Sequence, residues 1–155
     1  VAVAFSDGIK LYQRIGDTLT PLADLPAPVG ILVGVRLLKT EGGIYLLGNA
    51  VTSDAEPVSF VAKLVGTNAV IIRKDIPYLF GVLRKGDKPL VVAQELKNGD
   101  FGKVYSVKLS PQGVSIGGKL NFPQGFRADT ALLTADDRLV FIDRGGTLKI
   151  YSGNP

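Results

Sequence analysis

The sequence predicts an all-β fold of antiparallel four-stranded sheets that repeat about every 45 residues. Four short apolar runs bounded by turn residues recur along the chain, and an alternating apolar and polar segment follows each run. Glycine (19 residues) and proline (9 residues) are spread along the whole chain rather than clustered in a linker. No segment has the sustained i, i+3, i+4, i+7 apolar spacing of a capped helix. Together these observations favour the blades of a β-propeller.

The apolar run is the first recognisable strand of each repeat. The four runs are Val1–Ala4, Ile44–Leu47, Leu90–Ala93 and Leu139–Ile142. A run of four or five apolar residues between turns is typical of a strand that is buried on both faces.

An alternating strand follows each run, which predicts one buried face and one solvated face. These strands are Ile9–Tyr12, Ser59–Leu64, Val104–Leu109 and Leu148–Tyr151. The connections before them are Asp7-Gly8, the longer loop Ala50–Pro57, Asn98-Gly99-Asp100 and Gly145-Gly146. Most of these connections suit hairpins, because glycine adopts positive φ without a Cβ clash.

In three of the four repeats a third strand begins near a glycine and ends at a proline. These segments are Gly16–Pro26, Gly66–Pro77 and Gly113–Pro123. Proline has no N–H to donate to a sheet, so it predicts the end of each strand. A further apolar segment then leads into the next run, namely Ile31–Leu38, Phe80–Arg84 and Ala131–Leu133.

The repeats predict three to four blades within one domain spanning residues 1–155. We expect a partial blade at 1–26, blades at 31–77 and 80–123, and a partial blade at 131–151. Closed propellers typically have 4–8 blades. The array therefore predicts a fragment of a longer chain, as does a first residue that is not methionine. Flanking blades or a homodimer would complete the ring, and a β-sandwich is the alternative fold.

The residue types present exclude several kinds of chemistry. The chain has no cysteine and no histidine, which excludes thiolate sites, histidine-based catalytic triads and zinc sites of the usual kind. A carboxylate pair remains available, but most acidic residues stand in predicted turns, where they bond their own backbone. We therefore predict no catalytic residue, no metal and no cofactor. No apolar run approaches the twenty or so residues of a membrane-spanning helix.

The middle third of the chain carries the excess positive charge. Residues 73–119 hold 9 basic and 4 acidic side chains. The candidate ligand-binding cluster is Arg73, Lys74, Arg84, Lys85 and Lys88. It indicates a protein, a polysaccharide or another anionic surface as an unidentified partner. The alternative is that these cations protect exposed strand edges from pairing.

Nucleic acid is not predicted as a partner, although four aromatic residues lie in the basic third. These are Tyr78, Phe80, Phe101 and Tyr105. Stacking aromatics among cations can bind single strands. The net charge of +4 is modest, however, and Tyr105 alternates with Val104 and Val107, which places it in or beside the core.

Two stretches resemble a known repeat family. The segment 139–151, LVFIDRGGTLKIY, has an apolar run, an acidic-glycine turn and an alternating strand that ends in tyrosine. The pair Pro89–Gln94 and Gly102–Val107 has the same rhythm. In these features the chain resembles the FG-GAP or VCBS-type repeat propellers of exported bacterial proteins, the integrin-α-like class.

The resemblance implies a non-catalytic module that binds or scaffolds within a larger exported protein. Its ligands would contact the loops Val51–Pro57 and Leu96–Gly102, since loops on a rigid framework commonly carry function. The alternative is the propeller part of an enzyme whose catalytic residues lie outside this chain. Many members of the family have an Asp-rich calcium loop, but here the matching place has adjacent Asp136 and Asp137 followed by Arg138. The resemblance therefore does not imply calcium.

Overall fold

The computed structural model describes most of the chain as antiparallel β-structure. It does not describe Ser6, Thr67, Gly86, Asp87 and residues 153–155, and it describes only the backbone of Ala4, Asp75, Arg84, Lys85 and Lys88. All regular structure in the described residues is β-strand, in fourteen strands. This confirms the all-β prediction. Within the same residues there is no helix that could cross a membrane.

The chain divides into two compact units. Unit 1 comprises Val1–Pro77 with Ser110–Gly113, and unit 2 comprises Tyr78–Leu109 with Val114–Pro155. The first seven strands are β1 Ala2–Phe5, β2 Gly8–Ile15, β3 Thr18–Pro26, β4 Ile31–Thr40, β5 Gly43–Val51, β6 Pro57–Val65 and β7 Asn68–Ile76. The other seven are β8 Tyr78–Lys85, β9 Lys88–Lys97, β10 Asp100–Ser110, β11 Gly113–Leu120, β12 Leu132–Leu133, β13 Arg138–Ile142 and β14 Leu148–Ser152.

The strands form four separate antiparallel sheets of three, four, four and three strands. The sheets are β1-β2-β3, β4-β5-β6-β7, β8-β9-β10-β11 and β12-β13-β14, and in the described part of the chain each strand pairs with the strands next to it in sequence. The antiparallel part of the prediction is therefore confirmed, while the assignment of the sheets to a propeller stays a prediction.

Hairpin turns occur where the sequence places residues that tolerate positive φ. Asn98 (φ 53°) and Gly99 (φ 77°) make the two-residue turn between β9 and β10, as an asparagine-glycine pair commonly does. The predicted irregular loop Leu96–Gly102 is wrong, because both strands continue up to this turn. The other predicted loop is real, and residues 52–56 connect β5 to β6 outside regular strand.

The core of unit 1 lies between the sheets β1–β3 and β4–β7. Ile9 and Leu11 of β2 pack with Leu46 of β5 and Phe60 of β6, and all four are almost fully buried. Alternate residues of each strand point to this interface, which is the expected consequence of the two-residue period.

The core of unit 2 lies between the sheets β8–β11 and β12–β14. Val92 and Val104 of the first sheet pack with Leu139 and Phe141 of the second. The irregular segment 121–131, which connects β11 to β12, contributes Phe126 to the same cluster. This segment borders the cleft described below.

Candidate functional site

A cleft of about 250 Å³ opens in unit 2 beside the irregular segment that follows β11. Its walls come from β9, the first residues of β10, the end of β11 and the segment 121–126. The lining residues are Gln94, Phe101, Gly102, Lys103, Val104, Lys119, Leu120, Asn121, Phe122, Pro123, Gln124, Gly125 and Phe126.

A single buried side chain, Gln94 of β9, anchors the irregular segment to the sheet. Its Nε2 donates to the carbonyl oxygen of Phe126 at 2.7 Å, and its Oε1 accepts from the backbone N–H of Ala128 at 2.8 Å. Gln94 is only 1% exposed, so these backbone groups have a side-chain partner in place of water. Buried polar groups require such partners, and the amide satisfies one donor and one acceptor together.

A glycine and an aromatic stack complete the fit of this segment. A Cβ on Gly81 of β8 would overlap the carbonyl group of Ala128, so glycine allows the segment to lie directly on the sheet. The rings of Phe122 and Phe126 stack with centroids 4.1 Å apart, and Phe126 also meets Phe141 edge-on at 5.3 Å. The two rings therefore form an aromatic wall of the cleft, in which Phe126 is almost fully buried behind Phe122.

A β-bulge in β10 shapes the side of the cleft nearest β9. The pairing with β9 shifts between Phe101 and Val104, which leaves Gly102 and Lys103 opposite Glu95. The backbone N–H of Lys103 donates to Glu95 Oε2 at 3.3 Å. An extra residue of this kind redirects the side chains around it, and here it brings Lys103 to the cleft.

Glu95 is held as a carboxylate beside the cleft. The hydroxyl of Tyr105 donates to Glu95 Oε1 at 2.8 Å. This hydrogen bond is the main cause that lowers the pKa of Glu95, with smaller contributions from the backbone N–H and charge of Lys103 and the charge of Lys119. The same bond raises the pKa of Tyr105. At neutral pH the pair therefore offers a negative hydrogen-bond acceptor and not an acid.

The rim of the cleft is basic and amide-rich. Lys103 and Lys119 are exposed, as are Asn121 and Gln124, and among the residues that the structure describes none that lines the cleft is acidic. Glu95 offsets one of the two lysine charges, so the rim keeps about one positive charge. Such a surface offers cationic and amide donors next to an aromatic wall.

Two arginines contact the first two residues of β10, Asp100 and Phe101. Arg127 binds both carboxylate oxygens of Asp129, at 3.2 and 2.7 Å, and its guanidinium lies 5.0 Å from the centre of the Phe101 ring. Arg144 pairs with Asp100 at the start of β10. Bidentate and stacked arginine contacts of this kind define geometry well.

The predicted basic cluster does not coincide with this cleft. Arg73 and Lys74 lie on β7 in unit 1 and are exposed. Arg84, Lys85 and Lys88 belong to the β8–β9 hairpin of unit 2, where Lys85 is the register partner of Lys88, and their side chains lie outside the described residues. The cluster as a ligand site stays a prediction.

Asp136 and Asp143 lie in the turns on either side of β13. Asp143 Oδ1 accepts from the backbone N–H groups of Gly145 and Thr147, both at 2.9 Å, and the bond from Thr147 is the main cause that lowers the pKa of Asp143. Asp136 accepts from the hydroxyl of Thr134 at 2.6 Å. Among the described residues, no three acidic side chains are grouped to hold a metal ion.

Sequence reasoning missed the cleft, although one signal was present. Gln94 directly follows the apolar run Leu90–Ala93. A polar amide that continues a run buried on both faces must find buried partners, and this requirement would have pointed to a covering segment. Lys103, Lys119 and Phe122 carried no comparable signal.

Comparison with known proteins gives one relative and no family. The chain is 33% identical over 151 residues to a protein of Aquifex aeolicus (strain VF5) described as "Uncharacterized protein". The match covers 97% of this chain but only 30% of that protein. No protein-family model matches the chain, and no solved structure matches it.

Proposed function

We propose that this chain is a non-catalytic binding module of the β-propeller type, and that the cleft in unit 2 binds one acidic sugar unit of a polysaccharide. One observation carries the proposal: an aromatic-walled cleft whose charged lining residues are both lysines. Sugar rings pack on aromatic faces, and their carboxylates attract cations.

The volume of the cleft supports a ligand portion of one sugar ring. Sites for drug-sized ligands commonly measure about 300–1,000 Å³, whereas this cleft measures about 250 Å³. It would hold one residue of a polymer while the neighbouring residues extend over the surface. Such contacts are individually weak, and repeated sites on one polymer increase the overall affinity.

The charges around the cleft support an anionic ligand over a neutral one. Lys103 and Lys119 would donate to a carboxylate, while Asn121 and Gln124 would bond hydroxyl groups. Glu95 competes for the lysines and repels a second carboxylate. This arrangement favours ligands whose negative charges are spaced apart, as they are in a uronic acid polymer.

Titration with defined polymers tests the proposal. Polygalacturonate is the probe, dextran is the neutral polymer control, and poly-glutamate tests an acidic polypeptide instead. We expect Lys103→Gln and Lys119→Gln each to weaken polygalacturonate binding about 2–5-fold, the value of an exposed ion pair of about 0.5–1 kcal/mol. Lys108→Gln, an exposed position on β10 that does not line the cleft, is the matched control. Binding should weaken as salt increases.

Three results would contradict the proposal. Equal binding of dextran and polygalacturonate would show that the negative charge of the polymer does not contribute to binding. An equal loss in the Lys108 variant would assign the effect to net charge rather than to the cleft. Tighter binding of poly-glutamate would make an acidic protein the partner.

The propeller assignment rests on the sheets themselves and on the resemblance of 139–151 to repeat propellers. Four consecutive sheets of three or four sequential antiparallel strands are the expected form of blades. The proposal that this chain is part of an exported protein rests on the same resemblance. The alternative is that this chain is the propeller part of an enzyme whose catalytic residues lie elsewhere. The match to the relative is compatible with this alternative, because the chain spans only 30% of the relative's length.

A further inference from the structure

The peptide that joins Gly102 to Lys103 is bound by side chains at both of its ends. Gln94 Nε2 donates to the carbonyl oxygen of Gly102 at 3.4 Å. Glu95 Oε2 accepts from the backbone N–H of Lys103 at 3.3 Å. The carbonyl and the N–H of a trans peptide point in opposite directions, and consecutive side chains of a strand lie on opposite faces of the sheet. Two neighbouring residues of β9 therefore bind the two ends of one peptide of β10.

These side chains take the place of the strand pairing that the bulge interrupts. The register with β9 shifts between Phe101 and Val104, so two residues of β10 stand opposite one residue of β9. A bulge of this kind leaves its extra residue outside the ladder, and the backbone groups concerned need other partners. The position of the Gly102–Lys103 peptide therefore depends on the side chains that bind it.

Glu95 is itself held in one position against the bulge. Its second carboxylate oxygen, Oε1, accepts from the hydroxyl of Tyr105 at 2.8 Å, and the Tyr105 ring meets the Tyr78 ring edge-on with centroids 6.0 Å apart. A Cβ on Gly102 would lie 3.0 Å from Glu95 Oε2 and 3.1 Å from Glu95 Cβ, so the Glu95 side chain packs directly on this glycine. Hydrogen bonds and packing together fix the carboxylate that binds the Lys103 N–H.

Gln94 connects the same peptide to the opposite wall of the cleft. Its Nε2 also donates to the carbonyl oxygen of Phe126 at 2.7 Å, and a primary amide has two hydrogens to donate. One side chain thus bonds both the bulge and the irregular segment 121–131. Lys103, whose side chain lines the cleft between them, follows directly after the bonded carbonyl. The place of Lys103 relative to the aromatic wall is therefore set by Gln94 on one face and Glu95 on the other.

We propose that Glu95 is a positioning residue of the cleft, whose carboxylate fixes the backbone of Lys103 and so directs the Lys103 side chain to an anionic ligand. The identity of that ligand rests on the proposed function. Two effects of Glu95 on binding then have opposite signs. Its negative charge repels an anion, whereas its hydrogen bonds hold the lysine that binds the anion.

Two substitutions of equal charge separate these effects, and the first measurement needs no ligand. Glu95→Gln keeps an oxygen that accepts from the Lys103 N–H and an amide that donates to the Tyr105 hydroxyl, whereas Glu95→Ala keeps neither. We expect hydrogen exchange at the Lys103 amide to stay near the wild-type rate in Glu95→Gln and to become about 2–10-fold faster in Glu95→Ala, the value of one hydrogen bond. Gly102→Ala should also speed this exchange, because the new methyl group displaces the Glu95 side chain.

The second measurement is the affinity for polygalacturonate. Glu95→Gln should bind about 2–5-fold more tightly than the wild type, because it removes a negative charge beside the cleft. Glu95→Ala should bind about 2–10-fold more weakly than Glu95→Gln, although the two variants have the same charge. In a Lys103→Gln background this difference should disappear, because Glu95 positions the ligand through Lys103. Glu41→Gln, at an exposed position of the turn between β4 and β5, removes the same charge away from the cleft and should bind as the wild type does.

The two measurements distinguish failure of this inference from failure of the proposed function. Equal exchange at the Lys103 amide in Glu95→Gln and Glu95→Ala would overturn the positioning role whatever the ligand is. A difference in affinity that persists in the Lys103→Gln background would overturn it too, because it would assign the effect to general structure. If the wild type did not bind polygalacturonate, the proposed function would be wrong, and the exchange rates alone would decide whether Glu95 fixes Lys103. Circular dichroism checks that every variant keeps its strands.

Discussion

Replacement of Gln94 should release the segment 121–131 from the sheet beneath it. Gln94→Leu keeps a similar side-chain volume, so the cavity it leaves is small. It removes the acceptor for the Ala128 N–H and the donor to the Phe126 carbonyl. The strands of the sheet keep their own backbone hydrogen bonds, so the damage is expected to begin locally.

The magnitude follows from the two buried backbone groups that lose their partner. An unsatisfied buried donor or acceptor costs about 1–3 kcal/mol, which gives about 2–6 kcal/mol for the pair. Gln94→Glu retains the acceptor but places a carboxylate against the Phe126 carbonyl. Burial against the Phe126 carbonyl oxygen raises the pKa of this new carboxyl even though the Ala128 N–H still donates to it, so the loss of stability should shrink as pH falls through that raised value, where the protonated group donates again.

Two measurements check this prediction. Urea unfolding followed by circular dichroism gives the free energy of unfolding, and hydrogen exchange reports the Ala128 amide directly. A local loss of about 2 kcal/mol would speed exchange at that amide roughly 30-fold. Gln13→Leu, at an exposed position of β2, is the matched control and should stay within about 0.5 kcal/mol of wild type.

One result would refute the reasoning. If Gln94→Leu left the exchange of the Ala128 amide at the wild-type rate, the two hydrogen bonds would not be what anchors the segment. A Gln94→Glu variant whose stability relative to wild type did not recover at low pH would contradict the assigned roles of donor and acceptor.

The remaining predictions concern the fit of this segment and the carboxylate beside the cleft. Gly81→Ala should lower the free energy of unfolding by about 1–3 kcal/mol, because the new methyl group overlaps the Ala128 carbonyl. Gly118→Ala, at a position with open space around it, is the control. An equal effect of the two substitutions would contradict the steric argument. Tyr105→Phe should raise the pKa of Glu95 toward its ordinary value, measured by NMR titration of the carboxyl carbon, since the hydroxyl donor is its main stabilisation. Glu95 stabilises the fold above its unfolded pKa and loses that contribution as pH falls through its lowered folded pKa, so Tyr105→Phe should lower the free energy of unfolding at neutral pH and make its decline in acid shallower. An unchanged Glu95 titration would show that the hydrogen bond does not set its charge.

The strands were largely predictable because their limits are set by local chemistry. The strand β3 ends at Pro26, and β7 ends at Ile76, directly before Pro77, as the missing proline N–H favours. The third predicted end is wrong, because β11 stops at Leu120, three residues before Pro123. The turn at Asn98 was predicted as a hairpin connection, but the extent of the strands on either side was not. Strand pairing continues until geometry forces a turn, and a polar stretch such as 96–102 does not reveal that point.

The cleft was not predictable because it depends on contacts between distant parts of the chain. Gln94 bonds residues 32 and 34 positions away, a separation that no local periodicity encodes. The bulge at Gly102 and Lys103 likewise depends on how β10 pairs with β9. Pattern analysis identifies the faces of a strand, but not which irregular segment covers them.

The sequential pairing of strands has a consequence for how the chain folds during synthesis. Over the residues that the structure describes, each sheet consists of consecutive strands, so each can form as soon as its own residues leave the ribosome. Translation at about 5–20 residues per second delivers a sheet of some 45 residues in about 2–9 s, whereas a hairpin closes in about 1–10 μs. The strands of each new sheet therefore pair before the following sheet has been synthesised. Until that following sheet covers it, the apolar face of the new sheet is open to chaperones and to aggregation.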